Sequence, residues 1–186
     1  MRSYFKVDIV LHNGGGIRVD RIIPAGQITT GMIDDIFPFD NEIQIVQIKG
    51  KYIKEIMELS VALLPEPSGG FLQVSGMKIL VNTGKTSIKL KNGEQNKAIG
   101  TEIPGERIQK IEVLGADATY HELDMEKDYT IAVNSFLADG GNGYWMFKKA
   151  EKLTPTYTGL APILKIYLDD LPQMAPVTDG RIQIID

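Results

Sequence analysis

Residues 5–20 read FKVDIVLHNGGGIRVD. The stretch through Asn13 alternates and is rich in β-branched residues, which predicts a strand over 5–13. Three successive glycines then interrupt it. Glycine loses the most conformational freedom on folding, so three together mark a place where side chains would obstruct the backbone. Arg18 follows closely, a cation whose planar fork matches phosphate oxygens and which cannot lose its charge.

The segments downstream mix helices and strands. TTGMIDDIF (29–37) predicts a short helix capped by threonine and stopped before Pro38. NEIQIVQIKG (41–50) alternates with apolar residues on both faces, the mark of a central strand. Within 50–65, Ile53, Ile56, Met57, Val61 and Leu64 share one face while Lys51, Lys54, Glu55 and Glu58 face away, which predicts a helix ended by Pro65. Two short strands, 71–76 and 77–82, flank Gly76. Residues 82–106 are polar and glycine-dotted and read as an excursion of the sheet, with one strand at SIKLK (87–91). Strands are predicted at 107–115 and 129–136, followed by a glycine loop and a short helix within 137–151. A helix over 159–171, with Pro162 in its first turn, and a strand at 181–186 close the chain. The strands and helices do not alternate as βαβ units. The expected fold class is α+β, a mixed β-sheet domain with flanking helices, in one unit over 1–186.

Composition removes several function classes. The chain has 186 residues, enough to bury a core without metal or disulfide help. It has no cysteine, which excludes disulfides, zinc–thiolate sites and thiol nucleophiles. A formal charge of −4, with no Lys/Arg cluster, argues against nucleic acid as a partner. No stretch approaches the roughly 18 apolar residues of a membrane span. The N-terminal run carries Lys6 and Asp8, which is wrong for a signal peptide, so an export signal would lie outside this chain.

Local motifs fail on inspection. Gly14-x-Gly16 follows a strand, but the third glycine of a dinucleotide fingerprint would be Val19. GKTS (84–87) lacks the first glycine of a P-loop, which would be Ile79. DGGNG (139–143) lacks the oxygen ligands of a calcium loop at Gly141 and Gly143. The two histidines, His12 and His121, do not form a grouped metal motif, and His121 reads as an exposed turn residue. What remains is a pair of glycine loops, HNGGGIR (12–18) and FLADGGNGYWMF (136–147). Each follows a strand and joins glycines to an amide and an aromatic or cationic neighbour. Glycine N–H groups can crowd a ligand, and facing aromatics can stack on both sides of a base, at about 1–3 kcal/mol per base. That combination is a surface for base and phosphate, with Phe136 and Tyr144 bracketing the second loop and Phe39 offered by PFDN (38–41).

NGGGIR, PFDN, IKGKYIKEIME, GGFLQVSGMKI and FLADGGNGY occur in the order and approximate spacing of the C-terminal domain of the 5′-nucleotidase family, which includes UDP-sugar hydrolases. The resemblance runs over about residues 5–185. It implies a substrate-binding domain whose partner is a nucleotide or nucleoside. It also implies an N-terminal metallophosphoesterase domain, in cis or as a separate chain, that carries two divalent metal ions and the catalytic residues. No cofactor and no catalytic residue are expected in this chain. Asn13 and Arg18 would bind near the phosphate. Phe39 and Phe136 would sandwich the base, Asn41 would meet its edge, and Gly70 would lie beside it. Asn142 stands where the family carries an aspartate that contacts ribose hydroxyls, which puts ribose recognition in question. Further phosphate-binding arginines of the family lie upstream of NGGGIR, so the chain is expected to be an excised domain or half of a split protein. Substrates other than simple nucleotides, namely cyclic nucleotides or UDP-sugars, fit the same resemblance. A stand-alone nucleoside-binding module fits it too. Family members are commonly exported, so an extracytoplasmic site is expected for the full protein.

Overall fold

The computed structural model describes residues 1–19, 21–171, 173–175 and 177–186. In chain order the first elements are α1 (Arg2–Phe5), β1 (Ile9–Asn13), α2 (Thr30–Ile36), β2 (Glu42–Lys49) and α3 (Gly50–Ser60). Then come β3 (Leu72–Ser75), β4 (Met77–Asn82), β5 (Lys89–Asn92), β6 (Ala98–Ile103), β7 (Ile108–Leu114) and β8 (Tyr120–Glu122). The last are β9 (Asp128–Asn134), α4 (Ser135–Ala138), β10 (Glu151–Gly159), α5 (Leu160–Asp169) and β11 (Ile182–Ile185).

The strands form a five-stranded sheet ordered β10-β2-β9-β1-β3, a four-stranded sheet ordered β11-β4-β7-β8, and a separate β5–β6 hairpin. The α+β reading with a mixed sheet holds: β1 runs parallel to β9, while β2 and β3 run antiparallel to their neighbours. β2 is an interior strand, as its two apolar faces predict. The apolar face of α3 (Ile53, Ile56, Met57) joins Ile9, Leu11 and Ile48 of the first sheet to Ile79, Ile111 and Val113 of the second in one buried core.

That topology decides where the loops emerge. β1 and β9 point the same way, so the segments after Asn13 and Asn134 leave the sheet at one edge. The antiparallel strands start at that edge: Leu72 pairs with Asn13, and Ile43 pairs with Asn134. Residues 38–41, 68–71, 14–18 and 135–144 are therefore brought together by strand direction alone.

Several expectations are corrected. The first strand is shorter than 5–13, because Arg2–Phe5 is helical and Lys6 turns the chain in a left-handed conformation, φ 53°. Arg2 Nε holds that turn by donating to the Asp8 carbonyl at 3.0 Å. The helix over 50–65 stops at Ser60 and tightens into short turns, with Ala62 N–H bonded to Leu59 O and Leu64 N–H to Val61 O, both at 3.2 Å. Beyond Asn82, which ends β4, the segment up to residue 106 holds no strand of either large sheet; its β5 and β6 pair as a separate hairpin. His121 lies on the short strand β8, exposed as expected. β10 occupies a region with no predicted strand. It is an edge strand, mostly exposed, with register breaks around Pro155, so it lacks a buried face that would give it a period.

The end of α3 is secured by charge. Arg107 Nη1 donates to the carbonyls of Val61 (2.9 Å), Ala62 (3.2 Å) and Leu64 (2.9 Å), in the turns that follow the helix. Glu58, expected to face away from the core, is instead buried and accepts from the N–H of Arg107 and of Ile108, both at 3.0 Å. Burial raises the Glu58 pKa, and those two N–H donors with nearby Lys54 and Arg107 act against it. Glu58→Ala would leave both donors without an acceptor, at about 1–3 kcal/mol each. The expected result is a loss of at least about 2 kcal/mol in urea unfolding, with a smaller loss for Glu58→Gln, whose carbonyl still accepts. Unchanged midpoints would contradict this role.

Candidate functional site

The NGGG turn is held from two sides. Gly14 N–H donates to Phe71 O at 2.7 Å, and Gly15 N–H donates to Gly69 O at 2.8 Å. A side chain at Gly15 would bring its Cβ to 3.0 Å from Gly69 O, and one at Gly16 would meet the His12 ring at 2.7 Å. These glycines permit close packing on the 68–71 turn above and on His12 beneath. The expectation that their N–H groups face a ligand is corrected for Gly14 and Gly15, which spend theirs on the protein.

Asn13 is buried, and its amide is part of a network. Its Oδ1 accepts from Asn134 Nδ2 at 2.9 Å, and its Nδ2 donates to Gly69 O at 3.4 Å. Asn134 also caps α4, accepting from Leu137 N–H at 2.9 Å, and lies 3.4 Å from His12 Nδ1. The His12 ring meets Phe37 edge-on at 5.8 Å, and its buried Nε2 has no hydrogen-bond partner among the described residues. Burial lowers the His12 pKa, and the Gly16 backbone offsets this only in part.

Arg18 and Phe39 come together. The Arg18 backbone N–H donates to Ile36 O at 2.8 Å, and its guanidinium lies over the Phe39 ring, 5.4 Å from the centroid. Arg18 lines an open groove of about 690 Å³ with Ile17, Val19, Arg21 and Asp35. Within it Arg21 pairs with Asp35 at 3.2 Å.

Phe136 and Asn41 line a second cleft of about 740 Å³, together with Ser135, Asp139, the 140–143 glycine loop, Lys148 and the inner edge of the hairpin. A Cβ on Gly141 would stand 2.5–2.6 Å from three atoms at the far end of the Phe136 ring. Near-equal distances to three adjacent ring atoms place it over the ring face, not beyond its edge. One face of Phe136 is thus covered by backbone, yet the residue remains 43% exposed, so its other face is open. Phe39 is 48% exposed, and among the described residues no aromatic pair joins the two rings. Ser135 Oγ donates to Asn41 Oδ1 at 3.4 Å.

Asn142 adopts a left-handed conformation, φ 53°, and donates from Nδ2 to Gly69 O at 3.4 Å. The Gly70 Cβ position lies 3.7 Å from that amide, so Gly70 and Asn142 are neighbours. Tyr144 does not bracket the loop as a platform. It is 1% exposed and anchors the loop, donating from its hydroxyl to Gly70 O at 2.6 Å, and burial raises its pKa far above the usual tyrosine value.

The candidate residues therefore fall in three neighbouring groups: Asn13, Gly70 and Asn142 around Gly69; Arg18 with Phe39; and Asn41 with Phe136. Sequence reasoning missed Asn134, whose signal was an amide between a strand and a short helix. It also missed the hairpin wall (Leu90, Asn92, Lys97, Ala98), which carried no periodic signal. Among the described residues no group of three or more His, Asp or Glu could hold a metal ion.

Residues 1–149 match the family described as 5′-nucleotidase, C-terminal domain. A snake venom 5′-nucleotidase of Macrovipera lebetinus is 30% identical over 185 residues, which is 97% of this chain and 41% of that protein. A 5′-nucleotidase of Bos taurus is 29% identical, over 97% of this chain and 29% of its own length. A solved 5′-nucleotidase precursor from Thermus thermophilus superposes on the whole chain with a TM-score of 0.82 at 30% identity, covering 33% of that structure. The chain spans less than half the length of each of these relatives.

Neutral His12 beneath the glycine turn has a measurable consequence. Its folded pKa is lowered, so between the ordinary histidine value of about 6.5 and that lower value the unfolded chain binds more protons. Stability is full above about pH 6.5 and falls as pH drops through this window. Proton NMR can follow both histidine signals, with His121→Gln assigning them, since the chain has only two. His12 is expected to titrate below 6.5; a midpoint at or above that value would contradict the buried, neutral assignment.

Proposed function

The chain belongs to the 5′-nucleotidase C-terminal domain family, and from that premise we propose that it is the nucleotide-binding specificity domain of a phosphoester hydrolase. The observation that carries the reading is Phe136. Its ring is backed on one face by Gly141, open on the other, and set beside the Asn41 amide in a cleft large enough for a nucleoside. In this reading the base stacks on the open face, with Phe39 on its far side and Asn41 at its edge. Asn142 and Gly70 lie near the ribose and base, and Arg18 lies toward the phosphate. Asn13 acts by fixing the NGGG turn that carries Arg18 into place.

The division of labour rests on the family to which the chain belongs. The described residues offer no cluster fit for a metal. The two divalent metals and the water-activating chemistry are assigned to an N-terminal metallophosphoesterase domain, in cis or as a separate chain. This chain's contribution is positioning, holding the nucleotide so that its phosphate reaches that domain. On its own it is expected to hydrolyse neither AMP nor an aryl phosphate. The full protein is assigned an extracytoplasmic site, a reading supported by its likeness to snake venom 5′-nucleotidases.

Two variants test the binding reading by titration calorimetry. Phe136→Ala should weaken AMP by about 1–3 kcal/mol, roughly 5- to 150-fold, with folding retained because the ring is half exposed. Equal affinity in wild type and variant would remove Phe136 from the site. Asn142→Asp should tighten adenosine about fivefold, through a charge-assisted bond to a ribose hydroxyl, and leave 2′,3′-dideoxyadenosine unchanged. Because the same change also removes the donor to Gly69 O, an equal shift for both ligands would mean that residue 142 only shapes the turn.

A further inference from the structure

The β5–β6 hairpin forms one wall of the Phe136 cleft and is fastened there. A side chain at Gly143 would meet Leu90 Cδ1 at 2.9 Å, so Leu90 packs against the glycine loop. Thr101 Oγ1 donates to Glu55 Oε2 at 3.0 Å, tying β6 to α3. The wall so placed presents Asn92, Lys97 and Ala98 to the cleft. From the glycine-loop side comes Lys148, whose stem passes within 3.5 Å of the Gly140 Cβ position. The lining carboxylate, Asp139, is held by Lys152 at 2.8 Å. Its charge is thereby matched, and among the described residues the remaining charges of the lining are the two ammonium groups. Each ammonium has three donors and no acceptor. The hairpin side of the cleft is therefore rich in donors and net positive.

We propose that Lys97 and Lys148 are specificity-determining residues that select nucleobases presenting a carbonyl oxygen at the edge remote from the ribose. A 6-oxopurine nucleotide is favoured over its 6-amino counterpart. The inference rests on the reading that the base stacks on Phe136. A base in that position turns its outer edge toward the hairpin wall. There a carbonyl oxygen accepts from an ammonium, whereas an exocyclic amino group sets donor against donor and forfeits that bond. Selection of this kind acts through the rejected ligand's unmet hydrogen bonds as much as through the accepted ligand's contacts.

IMP and AMP share ribose and phosphate and differ at that edge, so the ratio of their affinities cancels the lysines' general attraction for phosphate. Calorimetry on the wild-type chain is expected to give IMP binding on the order of tenfold tighter than AMP. In Lys97→Gln/Lys148→Gln the ratio should fall close to one, while Lys149→Gln, a neighbouring exposed lysine outside the lining, should keep it. Equal affinities in the wild type, or a ratio retained in the double variant, would overturn the proposal while leaving base stacking intact. Failure of both nucleotides to bind would overturn the stacking reading and this inference with it.

Discussion

The carbonyl of Gly69 joins three distant segments of the chain. It accepts from Gly15 N–H at 2.8 Å, and from Asn13 Nδ2 and Asn142 Nδ2 at 3.4 Å. The turn before β3, the turn after β1 and the loop after α4 are thereby fixed relative to one another. The adjacent carbonyl, Gly70, takes the Tyr144 hydroxyl and ties the same turn to the core. Bulk at Gly15 would force the two turns apart, so the glycines there serve approach between backbones. The site's geometry is a consequence of that packing, since Arg18 leaves one end of the clamped turn and the 140–143 loop that backs Phe136 leaves the other side.

Asn134 extends the same logic below the surface. It caps α4, from whose first turn Phe136 projects, and its amide bonds Asn13 at the end of the neighbouring parallel strand. One side chain thus couples the two loops that carry the aromatic and the cation. The polar groups lie between strands, where solvent is excluded and unmet hydrogen bonds are costly, which makes the arrangement stiff. His12 sits within this layer, where burial favours its neutral form.

Elements with one face on the core were legible in the sequence. β2 and α3 have periodic apolar residues that their burial reproduces, and Thr29 caps α2 as its position suggests. β6, β8 and β10 were not, because they are exposed or at sheet edges and no buried face imposes alternation on them. The two glycine loops were recognisable as special, but the reason was not. That Gly15 packs on Gly69 is a long-range fact that no local pattern encodes. The cleft wall was missed for the same cause: the hairpin is held by Leu90 on Gly143 and Thr101 on Glu55, contacts between segments far apart in sequence. Phe39 and Phe136 are both exposed and lie outside the core.

The central claim is that a base occupies the open face of Phe136. A crystal structure of this chain grown with AMP tests it most directly. The account predicts a base parallel to the Phe136 ring, on the side away from Gly141, at a stacking distance of about 3.5 Å, with its edge within hydrogen-bond reach of Asn41. AMP bound elsewhere with that face still open, or a Phe136 ring turned into the core, would contradict it.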